Sequence, residues 1–142
     1  MQIDIVTQAD AELYEAFQRL IPQLTQNNPP PSPDNLADLV RNVSSTLMIA
    51  RDASGKIVGA LTLSVYRVPT GVRSIIEDVI VDNAARGQGI GEALMNRAIE
   101  LAREKGAQNI SLTSNPMREA ANRLYLRVGF KKRETNAYQI KL

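Results

Sequence analysis

The apolar positions of this chain change their period several times, and each change marks a new element. Residues 2–6 (Gln-Ile-Asp-Ile-Val) alternate and predict a first strand. Leu13, Ala16, Phe17, Leu20, Ile21 and Leu24 then fall on one helical face. Ahead of them Thr7-x-x-Asp10 has the spacing of a capping box, with Asp in place of Glu. Thr25 to Pro31, with two asparagines and three consecutive prolines, predicts a loop. Ser32-Pro33 reads as an N-cap followed by proline at the first helical position, and Leu36, Leu39, Val40 and Val43 give a second helix its stripe. Two strands follow near 46–51 and 56–66, joined by a hairpin-type turn at Asp52-Ala53-Ser54-Gly55.

After a turn over Tyr66–Val72 the pattern predicts a strand at 74–81. The helix after Gly91 turns Leu94, Met95, Ala98, Leu101 and Ala102 inward and ends at Gly106. Residues 109–114 predict another strand. Asn115-Pro116 looks like a cap with a first-turn proline, and the helix behind it presents Ala120, Ala121, Leu124 and Tyr125 and stops at Gly129. Phe130–Glu134 and Ala137–Leu142 read as a final pair of strands. The three-strand meander must be antiparallel, and the strand–helix–strand unit over 74–114 is expected to be parallel. The expected fold class is therefore α/β: one domain over residues 1–142, with a central, mostly antiparallel mixed sheet and helices on both faces.

Between the strand at 74–81 and its helix lies Arg86-Gly87-Gln88-Gly89-Ile90-Gly91. Glycines there leave backbone N–H groups uncovered at a helix N-terminus, a site suited to phosphate or pyrophosphate. A dinucleotide fingerprint would place its third glycine at Glu92, where a carboxylate would face the pyrophosphate. A P-loop needs a lysine that this loop lacks. The remaining spacing, Arg86-x-x-Gly89-x-Gly91, matches the [QR]-x-x-G-x-[GA] signature of the GNAT superfamily of acetyl-coenzyme A transferases. Arg118-x-x-Ala121-Asn122-Arg123-Leu124-Tyr125-x-x-x-Gly129-Phe130 resembles the later signature of the same superfamily, and the element order is similar over nearly the whole chain.

The resemblance implies transfer of an acetyl group from acetyl-coenzyme A to a primary amine. It implies a pyrophosphate on the amides of Gly87, Gln88, Gly89, Ile90, Gly91 and Glu92, with Arg86 contacting phosphate or bracing the loop. It implies a pantetheine arm along Val79, Ile80 and Val81, and Asn115 and Asn122 as further coenzyme contacts. The family's asparagine seven residues before the tyrosine is Arg118 here.

Composition narrows the chemistry further. The chain has no His and no Cys. Ser-His and Cys-His nucleophilic machinery and the usual zinc sites are thereby removed, so direct transfer without an acyl-enzyme and without a metal is expected. An acceptor amine with a pKa near 10.4 must lose a proton before it attacks, at a cost of about 4.6 kcal/mol at pH 7. Glu77 and Asp78 lie in an otherwise apolar strand. Simple alternation would put Glu77 on the face of Val79 and Val81, and Asp78 on the face of Ile76 and Ile80. The residues leave Glu77, Asp78 and a bound water open as the base; the resemblance points to Glu77. Tyr125 matches the family's general acid, although its place on the helix stripe also suits a core residue.

The acceptor side is expected from residues 21–35 and 66–73, where Arg67 and Arg73 suit an anionic group. The Ile76–Val79 segment and Tyr138–Lys141 resemble aminosugar-phosphate acetyltransferases. Peptide N-acetylation and a non-catalytic coenzyme A-binding module are the alternatives. A net charge of +2, spread along the chain, argues against a nucleic-acid partner. No apolar run reaches the ~20 residues of a membrane span, and no signal-peptide pattern opens the chain. A cytoplasmic setting is expected. The terminal strands, as sheet edges, are candidates for pairing in a homodimer.

Overall fold

Asp10 accepts a hydrogen bond from the Leu13 amide at 2.9 Å and is the N-cap of α1 (Ala11–Leu24). The expected capping box over Thr7–Asp10 is thus replaced by one carboxylate placed three residues later than a Thr7 cap would sit. α2 (Pro33–Arg41) starts as the sequence predicts: Ser32 Oγ accepts from the Asn35 amide at 3.1 Å, Asn35 returns the contact, and Pro33 opens the helix; it ends before Val43, which is exposed and not part of its stripe. The structure, a computed structural model, describes Met1–Leu142. The other elements are β1 (Gln2–Ile5), β2 (Ser45–Arg51), β3 (Ile57–Val68), β4 (Gly71–Val81), α3 (Ile90–Glu104), β5 (Ile110–Ser111) and α4 (Glu119–Arg127).

The five strands form one sheet in the order β1-β2-β3-β4-β5. All neighbours are antiparallel except β4 and β5, which run parallel. On one face α3 presses Leu94, Met95 and Ala98, all fully buried, onto Met48, Leu61, Leu63 and Ile76. On the other, α1 and α2 bring Leu13, Phe17, Leu20 and Leu36 onto Leu47, Ile49 and Ile80. Each fully buried leucine on these stripes contributes about 1.5–3 kcal/mol of apolar burial. This is the expected α/β arrangement, a mixed sheet covered on both faces. No helix is long and apolar enough to cross a membrane.

The turn expected over 66–72 shrinks to Pro69-Thr70, because Tyr66–Val68 and Gly71–Arg73 pair as the ends of β3 and β4. Four further local features differ from the sequence expectation. First, β4 carries a bulge. Ala60 pairs with Ile80 and Thr62 with Glu77, so Leu61 stands opposite two residues, Asp78 and Val79. Asp78 absorbs the extra residue at φ +51°, a left-handed conformation that Asp tolerates better than most side chains. The bulge breaks the alternation, and Glu77 shares its face with Ile80, not with Val79 and Val81. Second, β5 is two residues long, not six. It pairs only through Ser74↔Ile110 and Ile75↔Ser111, because beyond Ile75 the bulge turns β4 away from it. Third, α4 starts at Glu119 rather than at Pro116. Asn115 Oδ1 accepts from the Met117 amide at 2.8 Å and holds a turn there instead. Fourth, Phe130–Glu134 and Ala137–Leu142 form no strands. This segment makes no ladder with any strand, and residues 131–142 lie exposed.

One half-buried ion pair fixes the connection between β4 and α3. Asp82, 5% exposed, is hydrogen-bonded to Arg19 of α1 and accepts from the Ala84 amide at 3.1 Å. Arg19 also donates to the Ile57 carbonyl at 2.8 Å, and Gln23 Oε1 accepts from the Asn83 amide at 2.8 Å. Burial alone would raise the Asp82 carboxyl; the Ala84 amide, Arg19, Gln23 and Lys56 outweigh it and hold its pKa below the ordinary carboxylate value. A depressed carboxyl stabilises the fold above its unfolded pKa and loses that contribution as pH falls through the folded one. Asp82→Ala should therefore cost about 1.5–3 kcal/mol at pH 7, as for a hydrogen bond to a charged group. The deficit should shrink as pH falls below about 4. Chemical unfolding of both proteins across pH 3–7 checks this; a deficit independent of pH would mean that packing, not charge, fixes the loop.

Candidate active site

Where β4 and β5 part, a cleft of about 750 Å³ opens. One wall is β4, with Val79 and Val81; the other is α4, with Ala121, Leu124 and Tyr125. Its floor is the start of α3. The two strands are held together only on the near side of the opening. There Ser74 gives its amide to the Asn109 carbonyl at 3.2 Å and its hydroxyl to the same oxygen at 2.7 Å. On the far side β4 has no strand on its outer edge. The Val79 carbonyl faces the opening and accepts from the Arg118 guanidinium at 3.2 Å.

The floor is built by two left-handed glycines. Gly87 and Gly89 both have φ +78°, and a Cβ at either would meet nothing within 4 Å. Gly89 is the N-cap of α3 and has no side chain to offer the helix. No amide from Gly87 to Glu92 donates a hydrogen bond within the protein. These donors, at the positive end of the α3 dipole, form an anion cradle. Gly91 serves another end: a Cβ there would stand 2.8 Å from Leu124 Cδ2, so its absence lets α4 close on α3.

Four arginines, Arg86, Arg118, Arg123 and Arg127, line the cleft. Arg127 lies 3.5 Å from Glu92, so the carboxylate beside the cradle is partly offset by a cation. Arg123 and Arg127 are four residues apart and share a helix face, a spacing legible in the sequence. A smaller depression of about 150 Å³ lies beside β1, but its Asp4, Glu12 and Arg51 are engaged with one another.

Tyr125 is 5% exposed and packs edge-on to Phe130 at a centroid distance of 6.3 Å. Burial raises its phenol pKa, against the opposing pull of the Arg118 guanidinium. Tyr125 is thus both a core residue and a wall of the cleft. Glu77 lies on the α1–α2 side of β4 and is exposed; the cleft walls do not include it. Partial desolvation of its carboxyl raises the pKa, and the Asp78 carboxylate raises it further.

The expected coenzyme residues divide accordingly. Val79, Val81, Arg86, Gly87, Gly89, Ile90, Gly91 and Glu92 line the cleft together with Tyr125. The Ile80 side chain is 2% exposed in the opposite core, so only its backbone belongs to the β4 edge. Gln88 is exposed at the loop apex. Asn115 and Asn122 meet each other outside the cleft: Asn122 Nδ2 donates to the Asn115 carbonyl at 3.1 Å. Their visible work is to hold the β5–α4 turn.

Comparison with known proteins agrees with this geometry. The Acetyltransferase (GNAT) family profile matches residues 11–130. A glucosamine 6-phosphate N-acetyltransferase from Trypanosoma brucei brucei is 34% identical over 104 residues, which cover 70% of this chain and 69% of that protein. Glucosamine 6-phosphate N-acetyltransferase 1 from Oryza sativa subsp. japonica is 35% identical over 74 residues, covering 49% of this chain and 45% of the rice protein. The crystal structure of an acetyltransferase from Trypanosoma brucei superposes with a TM-score of 0.78 at 28% identity, over 99% of both chains. By loop, by fold and by sequence, this chain belongs to the GNAT family of N-acetyltransferases.

Proposed function

We propose that the chain moves the acetyl group of acetyl-coenzyme A directly to the primary amine of a small anionic acceptor of the aminosugar-phosphate type. The observation that carries this is the cleft itself, an unpaired strand edge that ends on bare helix amides among four arginines. A polyanionic coenzyme with an amide-bearing arm fits both parts. The amides of residues 87–92 and Arg86 hold its pyrophosphate. The backbone of Val79, Ile80 and Val81 takes its arm as an added strand. Arg118 must release the Val79 carbonyl for that, and its guanidinium then stays among the anionic groups.

The bound coenzyme supplies a thioester-activated acetyl group. Glu77 and Tyr125 approach the reacting centre from opposite faces of β4. Glu77 accepts, directly or through water, the proton that the acceptor ammonium must lose. Its raised pKa makes that transfer less uphill than an ordinary carboxylate would. Tyr125 gives its hydroxyl proton to the departing sulfur and recovers one from solvent. Arg67 and Arg73, exposed on the β3–β4 hairpin, are cations available to an acceptor phosphate. The sequence likeness to two glucosamine 6-phosphate N-acetyltransferases supports that class of acceptor.

Two sets of kinetics test these roles. Glu77→Gln should move the pH–rate profile to higher pH, because only amine that is already neutral then reacts. Tyr125→Phe should lower turnover about 100-fold, near the low end for a general acid, with coenzyme affinity unchanged. An unmoved profile would assign the proton to water or to Asp78, and full activity of the phenylalanine variant would leave Tyr125 a core residue. Release of free thiol from acetyl-coenzyme A should be faster with glucosamine 6-phosphate than with glucosamine or an N-terminal peptide. The opposite order would move the acceptor to a neutral amine or a protein.

A further inference from the structure

Arg118 stands apart from the other arginines of the cleft. Arg86, Arg123 and Arg127 are exposed, whereas Arg118 is half-buried. It joins no ion pair. Its guanidinium donates instead to the Val79 carbonyl on the opposite wall, at 3.2 Å. From the same place it acts on the Tyr125 phenol, against the rise that burial imposes. One side chain therefore spans the cleft from the start of α4 to the open edge of β4. Its own backbone is fixed at both ends. The Arg118 amide donates to the Asn115 carbonyl at 3.0 Å, and the Arg118 carbonyl accepts from the Asn122 amide at 2.9 Å. Opening the contact needs only rotation of the side chain.

We propose that Arg118 is a bolt across the empty cleft, and that it competes with the arm of the coenzyme for the Val79 carbonyl. This rests on the reading that the arm lies along β4. The carbonyl faces the opening, so the guanidinium and an amide of the arm approach it from the same side. A hydrogen bond from a charged donor is stronger than one from a neutral amide, so at this point the exchange runs uphill. The amides of residues 87–92 make no contact with the bolt and supply the binding that offsets it. The whole coenzyme is thereby held less tightly than the cradle and the strand edge alone would hold it. A returning guanidinium also speeds its departure, since differences of this kind fall mostly on the dissociation rate. A ligand that carries only the phosphate end binds without drawing the bolt.

Calorimetry with two ligands separates the bolt from the mere charge of the arginine. Coenzyme A must draw the bolt; 3′-phospho-ADP, the same molecule without its arm, need not. Any phosphate attraction lost in Arg118→Ala is lost for both. The ratio of the two affinities, coenzyme A over 3′-phospho-ADP, should therefore rise about tenfold in Arg118→Ala, the equivalent of one such hydrogen bond. It should rise equally in Arg118→Leu, which keeps the apolar stem without the donors. In the ligand-free proteins the amides of residues 122–127 should exchange with solvent faster in both variants than in the wild type, because α4 has lost its tie to β4. Coenzyme A should remove that difference. An unchanged or lower ratio, or α4 amides that exchange alike without ligand, would overturn the bolt and leave Arg118 an ordinary phosphate contact, with the coenzyme site intact. A wild-type protein that fails to bind coenzyme A would overturn both the bolt and the reading on which it rests.

Discussion

β4 and β5 stay paired for only two residues, and the candidate chemistry lies beyond the point where they part. Ile75 opposite Ser111 is the last pair; three residues later Asp78 takes a left-handed conformation and the strand bends. A bulge costs ladder hydrogen bonds and local strain, and here it creates an unpaired edge inside a protein rather than at its rim. That edge is a binding surface. Its Val79 carbonyl, without a strand partner, accepts from the Arg118 guanidinium instead.

The other half of the site depends on backbone too. Two glycines at φ +78° bring the chain into α3 without covering the first amides, and Gly91 lets α4 come close enough to form the opposite wall. Asp82 and Arg19 hold the start of this loop against α1, so the cradle is tied to both faces of the sheet. Side chains then tune what the backbone has placed. Four arginines give the cleft its sign, and partial burial sets Glu77 and Tyr125 above their ordinary pKa values.

Much of this was legible in the sequence because it rests on local chemistry. The Ser32-Pro33 cap, the glycine loop and the stripes of α1 and α3 each follow from spacing within a few residues. What escaped depends on partners distant in the chain. A bulge is a statement about register, and the alternation around Glu77 gives no sign that Asp78 and Val79 share one partner across the ladder. The two-residue β5 follows from that bulge and was equally hidden. Asn115-Pro116 has the pattern of a helix cap, but the Asn115 side chain closes a turn on the Met117 amide and the helix starts only at Glu119. The terminal segment has a strand's pattern, but alternation alone makes no ladder.

The cleft is a coenzyme site only if the bare amides of the loop hold the coenzyme. Calorimetric titration of acetyl-coenzyme A into the wild-type protein and into Gly89→Glu, with NAD as a control, asks this directly. Binding to the wild type, no binding of NAD, and an affinity more than tenfold weaker in the variant (over 1.4 kcal/mol) is the predicted result. Equal affinity in the variant, or no heat with acetyl-coenzyme A at all, would mean that the glycine loop is only a turn and that the cleft serves something else.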